Sequence, residues 1–127
     1  MDLLLDTNAF LWFCEDNPKL SSTAKQYIEN QNNTSFVSMA SLWEIAIKLS
    51  LGKIKLKIPF EKFIELVEDN GFKILSITFE HTLNVSQLEF YHQDPFDRLI
   101  ISQGIVEDIP IISADSKLDN YTVNRIW

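Results

Sequence analysis

Apolar residues in this chain follow two rhythms. Short runs bounded by polar residues, Leu3 to Leu5, Ser35 to Val37, Lys73 to Ile77, Ile109 to Ile112 and Thr122 to Trp127, are rich in Leu or β-branched residues and predict strands. Between them apolar positions return every three or four residues, as in Phe60, Phe63, Ile64 and Val67, which line one face of a helix. Short buried strands alternating with helices predict an α/β fold, with a mostly parallel central sheet flanked by helices and right-handed crossovers. One segment breaks the amphipathic rule. Ala9-Phe10-Leu11-Trp12-Phe13-Cys14 surrounds its axis with apolar side chains, so it is either a short helix buried all round or a helix that leaves Trp12 or Phe13 on an exposed patch.

Composition narrows the class. A length of 127 residues with 46% hydrophobic residues predicts a single domain spanning residues 1–127. The three glycines, Gly52, Gly71 and Gly104, are too scattered for a phosphate-cradling loop, which excludes P-loop and Rossmann nucleotide binding. Cys14 is the only cysteine, so no internal disulfide forms, and with two histidines far from it there is no zinc-ligand spacing; Cys14 is expected in the core. The start of the chain has no basic n-region and no apolar stretch long enough for a membrane span, so the expectation is a cytoplasmic protein with no membrane contact. A formal net charge of −7 argues against a general basic surface for nucleic acid, so any such role depends on a local site.

Four acids stand at the ends of predicted elements. Asp6 follows the first strand, Asp115 follows the fourth, Asp97 opens the helix that precedes the fourth strand, and Glu44 lies early in the helix after the second. In a parallel sheet the strand-to-helix loops gather beyond the carboxyl ends of the strands, so all four can converge at one rim. Singly, each has a structural explanation. Asp6 and Asp115 suit helix N-caps, Ser41-Leu42-Trp43-Glu44 reads as a capping box, and Asp94-Pro95 places an N-cap before a proline at the first helical position. Capping does not require all of them on one rim. Clustered carboxylates about 5 Å apart repel by roughly 3 kcal/mol at an effective dielectric near 20, and hard divalent ions such as Mg²⁺ or Mn²⁺ supply the missing counter-charge. Such ions bind phosphate oxygens, which points to phosphodiester hydrolysis.

With these residues aligned, the chain resembles the PIN-domain nucleases, and most closely the VapC-type toxins of bacterial toxin–antitoxin pairs. The matching segments are Leu4-Leu5-Asp6-Thr7 at the first strand, Ser41-Leu42-Trp43-Glu44-Ile45 on the third helix, His92-Gln93-Asp94-Pro95-Phe96-Asp97-Arg98-Leu99 leading into the fifth, and Ser113-Ala114-Asp115 after the fourth strand. The resemblance implies a sheet ordered 3-2-1-4-5, a metal site of Asp6, Glu44, Asp97 and Asp115 that is also catalytic, Mg²⁺ or Mn²⁺ as cofactor, and RNA as substrate. It further implies a small antitoxin as partner and a homodimer. Thr7 matches the small hydroxyl residue beside the acids. Asn8 stands where many similar sequences carry His, and it hydrogen-bonds but takes up no proton. Arg98, a cation near the positive end of a helix, is expected to contact phosphate or an acid, and His92 to be a loop hydrogen-bonder. Lys48 joins Thr7, Asn8 and Arg98 as a substrate-contact candidate. Lys53, Lys55 and Lys57 alternate, which places them on one face of an extended segment, as a basic strip or as the charged guard of an edge strand.

Rival readings remain in view. A haloacid-dehalogenase-like phosphatase needs a second Asp two positions after the first, where Asn8 stands, and a receiver domain needs an acceptor Asp where Ser76-Ile77-Thr78 ends the third strand. The alternatives that keep the fold are a housekeeping RNA-processing nuclease and a non-catalytic protein-binding module.

Overall fold

The computed structural model describes all 127 residues. Five strands, β1 (Asp2–Leu5), β2 (Thr34–Ser38), β3 (Lys73–Leu75), β4 (Ile111–Ile112) and β5 (Arg125–Ile126), form one sheet in the order β3-β2-β1-β4-β5. Every neighbouring pair is parallel. Six helices surround it: α1 (Thr7–Cys14), α2 (Ser22–Glu29), α3 (Met39–Ser50), α4 (Phe63–Asp69), α5 (Phe79–Gln87) and α6 (Pro95–Glu107). None is long and apolar enough to cross a membrane. The predicted α/β architecture and strand order are both present.

Strand alternation divides the interior into two cores. Leu3, Leu5, Val37 and Ile112 face one side, where they meet Phe10 and Leu11 of α1, Ala24 and Ile28 of α2, and Phe63 and Val67 of α4. Leu4 and Ile111 face the other side and pack on Ile100 and Ile101 of α6. A sheet buried on both faces explains why β1 reads as an unbroken leucine run rather than an alternating one. Each fully buried leucine there contributes roughly 2 kcal/mol.

Helix α6 lies close over β4 because Gly104 permits it. A Cβ at Gly104 would sit 2.7 Å from Ile111 Cδ1 and 2.9 Å from its Cγ1. Gly104→Ala should therefore destabilise the protein by about 1 to 3 kcal/mol of overpacking, against a helix-propensity gain of at most about 1. Urea unfolding of the variant measures the balance, and a rise in midpoint would show that Ile111 yields freely.

Several sequence expectations are corrected. Ser41 caps nothing: α3 starts at Met39 with Ser38 as its N-cap, accepting from Ala40 N at 3.0 Å, and Ser41 is buried inside the helix. Glu44 therefore lies in the second turn. The last three strands are shorter than the predicted runs: the third stops at Leu75, the fourth starts at Ile111 and the fifth at Arg125. Phe60–Lys62 is a 3-10 turn that runs into α4 at Phe63. The helix carrying Asp97 is the sixth rather than the fifth. Lys53, Lys55 and Lys57 are exposed on one face while Ile54, Leu56 and Ile58 pack inward, but the segment pairs with no strand. In α1 the buried alternative prevails for Phe10 and Leu11; Trp12 and Phe13 are half-buried, stacked at 5.9 Å on Trp127 and 5.4 Å on Phe72. Cys14 packs against the same core, and burial pushes its thiol up to about 11.

Candidate active site

The chain winds from β1 outward to β2 and β3, then crosses to β4 and β5 on the other side of β1. The switch point lies between β1 and β4, and the crevice beyond their carboxyl ends is where an open parallel sheet accommodates a ligand. Asp6 and Asp115 flank that crevice. Asp6 terminates β1 and N-caps α1, accepting from Ala9 N at 2.8 Å. Asp115 follows β4 and N-caps the 3-10 turn Ser116–Asn120 through Lys117 N at 3.0 Å. From the α6 side, Asp94 caps the helix by accepting from the N–H groups of Phe96 and Asp97, with Pro95 at the first helical position. Asp97 then projects from the first turn, and Glu44 reaches in from α3.

The caps are real, and they do not exhaust the carboxylates. Burial, which opposes charge, pushes Asp6 up to about 6; the nearby charges of Asp115 and Glu44 add to this, while hydrogen bonds from Ser113 and Ala9 N–H only partly offset it. Asp97 is pushed up to about 7, again by burial first, then by Asp94, with Asp6 and Glu44 adding and His92 opposing. The four predicted acids thus share one electrostatic neighbourhood.

Within it the closest group joins two of the predicted acids to a histidine that the sequence did not place among the metal-site residues. Asp97, Asp115 and His92 each offer a ligand atom, and these lie within 4.8 Å of one another. His92 Nε2 is 2.6 Å from Asp115 Oδ2 and 3.3 Å from Asp97 Oδ2. Because Asp94 N–H donates to His92 Nδ1 at 3.2 Å, the neutral ring carries its proton on Nε2 and donates it to Asp115. His92 is itself fixed by its N–H donating to Tyr121 Oη and by Arg98 donating to its carbonyl. It is the hydrogen-bonder expected of it, and its side-chain partner is Asp115, with Asp97 Oδ2 3.3 Å from the same nitrogen.

Glu44 is held apart from this trio. Its Oε1 accepts from the Thr7 hydroxyl at 2.7 Å and its Oε2 from Lys48 Nζ at 2.7 Å, while Thr7 Oγ1 also shares a hydrogen bond with Ser41 at 2.9 Å. Lys48 therefore sits inside the acidic neighbourhood, with its pKa raised by the Glu44 hydrogen bond. Asn8 is exposed on the first turn of α1.

Arg98 does not play the part expected of it. It is buried, with its guanidinium donating to the carbonyls of Val85, Leu88, Glu89 and His92 at 3.4, 3.0, 2.9 and 3.1 Å and stacking 3.8 Å over the Phe90 ring. The expectation counted only the positive end of its own helix. Spatially the guanidinium lies at the negative end of α5, where a cation is favoured. It holds the turn that presents His92 instead of reaching for phosphate. A second arginine absent from the sequence reading, Arg125, grips Asp119 through Nε and Nη2 at 2.9 and 3.0 Å and the Ser113 carbonyl at 3.1 Å, tying the Asp115 turn to β5.

The donor set fits a hard divalent ion. Asp97 and Asp115 lie within one ion's reach, and burial together with the neighbouring carboxylates penalises the ionised forms of Asp6 and Asp97, a cost that a bound cation offsets. This fixes the pH dependence of the metal-free protein. Between the ordinary value of 3.8 and the folded values of about 6 and 7, the native state binds more protons than the unfolded chain. The contribution of Asp6 and Asp97 is therefore fully present below about pH 4 and is lost as pH rises through 6 to 7. In EDTA, the melting temperature of wild type minus that of the Asp6→Asn/Asp97→Asn double variant should fall from pH 5 to pH 8. A flat difference would remove the carboxylate repulsion from the account.

The PIN domain family model matches residues 3–124, and the chain belongs to that family. Among solved structures, it superposes on VapBC2 from Rickettsia felis bound to a promoter DNA fragment with a TM-score of 0.74 at 19% identity, covering 98% of this chain and 97% of that one. VapBC-1 from nontypeable Haemophilus influenzae gives 0.72 at 16% identity, covering 98% and 96%. DNA-bound VapBC from Salmonella typhimurium gives 0.67 at 14% identity, again covering 98% and 96%. These likenesses are of fold. No curated protein sequence matches the chain significantly.

Proposed function

We propose that this PIN domain is a Mg²⁺- or Mn²⁺-dependent endoribonuclease and the toxin of a cytoplasmic toxin–antitoxin pair. The observation that carries the proposal is the convergence of Asp97 and Asp115 within one ion's reach at the sheet's switch point, with Asp6 and Glu44 in the same field. Asp6, Asp97 and Asp115 would hold the ion, with Glu44 completing the set as Lys48 exchanges its partner for a substrate phosphate. When bound, the ion supplies charge stabilisation to the phosphate oxygens and an activated water as nucleophile. The chain's own residues do the positioning. Thr7 holds one Glu44 oxygen, and His92 holds Asp115 with the aid of Arg98. Because water attacks, the ribose 2′-hydroxyl takes no part and the product carries a 5′-phosphate.

The toxin assignment is supported by the VapBC structures that share this fold from end to end. Their names describe complexes, and by analogy the partner here is a small antitoxin that covers the acidic site, a task suited to a basic segment given the net charge of −7. A homodimer is the assembly expected of such a toxin. Expression alone should arrest growth, and expression with the neighbouring gene should restore it and yield a co-purifying complex. Harmless expression of an active enzyme would leave the housekeeping nuclease as the reading.

A further inference from the structure

On the lip of the acidic crevice the geometry points to a nucleobase-binding platform: the Trp43 indole, braced by Phe96, on which an unpaired base beside the scissile phosphate stacks. This inference rests on the nuclease reading and names how that site grips its substrate. Trp43 is 55% exposed, unusual for the largest apolar side chain. It packs edge-on against Phe96, with ring centroids 5.1 Å apart and planes at 82°, an arrangement that leaves indole surface open to solvent.

Two helices build this lip in the same way. On α3 the residue after Trp43 is Glu44, and on α6 the residue after Phe96 is Asp97, so each aromatic ring stands one residue from a carboxylate of the site. Consecutive Cα atoms are 3.8 Å apart, and a base is separated from its phosphate by a single sugar. The Trp43–Phe96 contact joins the two helices that deliver those carboxylates, and the proposal seats the base beside the held phosphate on that contact. Lys48, one turn beyond Glu44, supplies local positive charge for the backbone.

Charge makes the platform needful. A protein of net charge −7 gains little from counterion release, the usual source of nucleic-acid affinity. Base stacking on aromatic rings supplies affinity without net charge and tolerates any sequence. Of the two rings Trp43 is exposed and Phe96 half-buried, so the indole is the surface on which a base stacks.

The test uses an Asp6→Asn background, in which Asn keeps the N-cap of α1 and cleavage is blocked, with Mn²⁺ and a fluorescent single-stranded oligoribonucleotide whose cut site has been mapped with wild type. Replacing Trp43 by Ala should weaken binding roughly ten-fold and by Phe much less. An abasic residue beside the scissile phosphate should cost the parent a similar factor and cost the Trp43→Ala protein nothing further. Equal binding by parent and Trp43→Ala, or an abasic penalty that survives the substitution, overturns the platform while leaving the nuclease reading intact. A Trp43→Ala protein that binds RNA normally but falls apart from dimer to monomer shows a protein interface instead. Wild type that neither cuts nor binds removes both readings together.

Discussion

Replacing Asp97 by Asn is expected to make the metal-free protein more stable at pH 8 and yet cut cleavage by at least a hundred-fold. The two effects have one cause. Asp97 is held near a pKa of about 7 by burial and by Asp94, Asp6 and Glu44, so at pH 8 its charge is carried at a cost that the neutral amide does not incur. The same charge is what a divalent ion requires. Loss of outer-shell partners alone typically lowers metal affinity or activity by roughly 10- to 100-fold, and loss of a ligand should exceed that. The variant should also lose most of the rise in melting temperature that millimolar Mn²⁺ gives wild type, a rise that reports binding to the native state. Lower stability in EDTA, or an undiminished response to Mn²⁺, would separate Asp97 from the metal.

Arg98→Met should destabilise the fold by about 3 to 5 kcal/mol, the largest stability effect expected of any site residue. Its guanidinium donates to four carbonyls between Val85 and His92, and removal leaves those of Leu88 and His92 without partners in a part-buried turn, while Val85 and Glu89 keep Leu88 N–H and the Tyr121 hydroxyl. Lysine brings a point charge and no planar fork, so Arg98→Lys should recover less than half of the loss. Denaturant unfolding gives the magnitude. Since the same turn carries His92, hydrogen exchange at residues 85–92 should accelerate before the rest of α6 does. A loss below about 1 kcal/mol would mean that water replaces the guanidinium readily.

How much of this was legible in the sequence varies by element. The leucine run of β1 and the paired isoleucines of β4 could be read because strands buried on both faces need unbroken apolar sequence. Asp94-Pro95 was legible because an N-cap and a proline at the first helical position act locally. Helix α5 was not, and its pattern is inverted: Phe79 and Leu83 are exposed while His81 is buried, its ring closing a capping box with Thr78 and meeting Glu107 at 3.2 Å. A scan for apolar periodicity passes over such a helix.

The site divides in the same way. Asp6, Asp97 and Asp115 stand at element ends, where spacing alone suggests a shared rim. His92 and Arg98 depended on distant partners. Nothing local to Arg98 announced that α5 would bring its negative end to it, and the link from His92 to Asp115 spans 23 residues. Trp43 shows the limit from the other direction. An aromatic residue in an apolar helix is expected in the core, and only its exposure in the folded chain sets it apart.

Cleavage chemistry tests the central claim most directly. Purified protein should be incubated with an end-labelled RNA of defined sequence, with Mg²⁺, Mn²⁺ or EDTA, and the new ends identified. Cuts should appear only with the divalent ion, persist when the ribose at the scissile position is 2′-deoxy, and leave a 5′-phosphate. Cleavage that proceeds equally in EDTA and leaves a 2′,3′-cyclic phosphate would contradict the account.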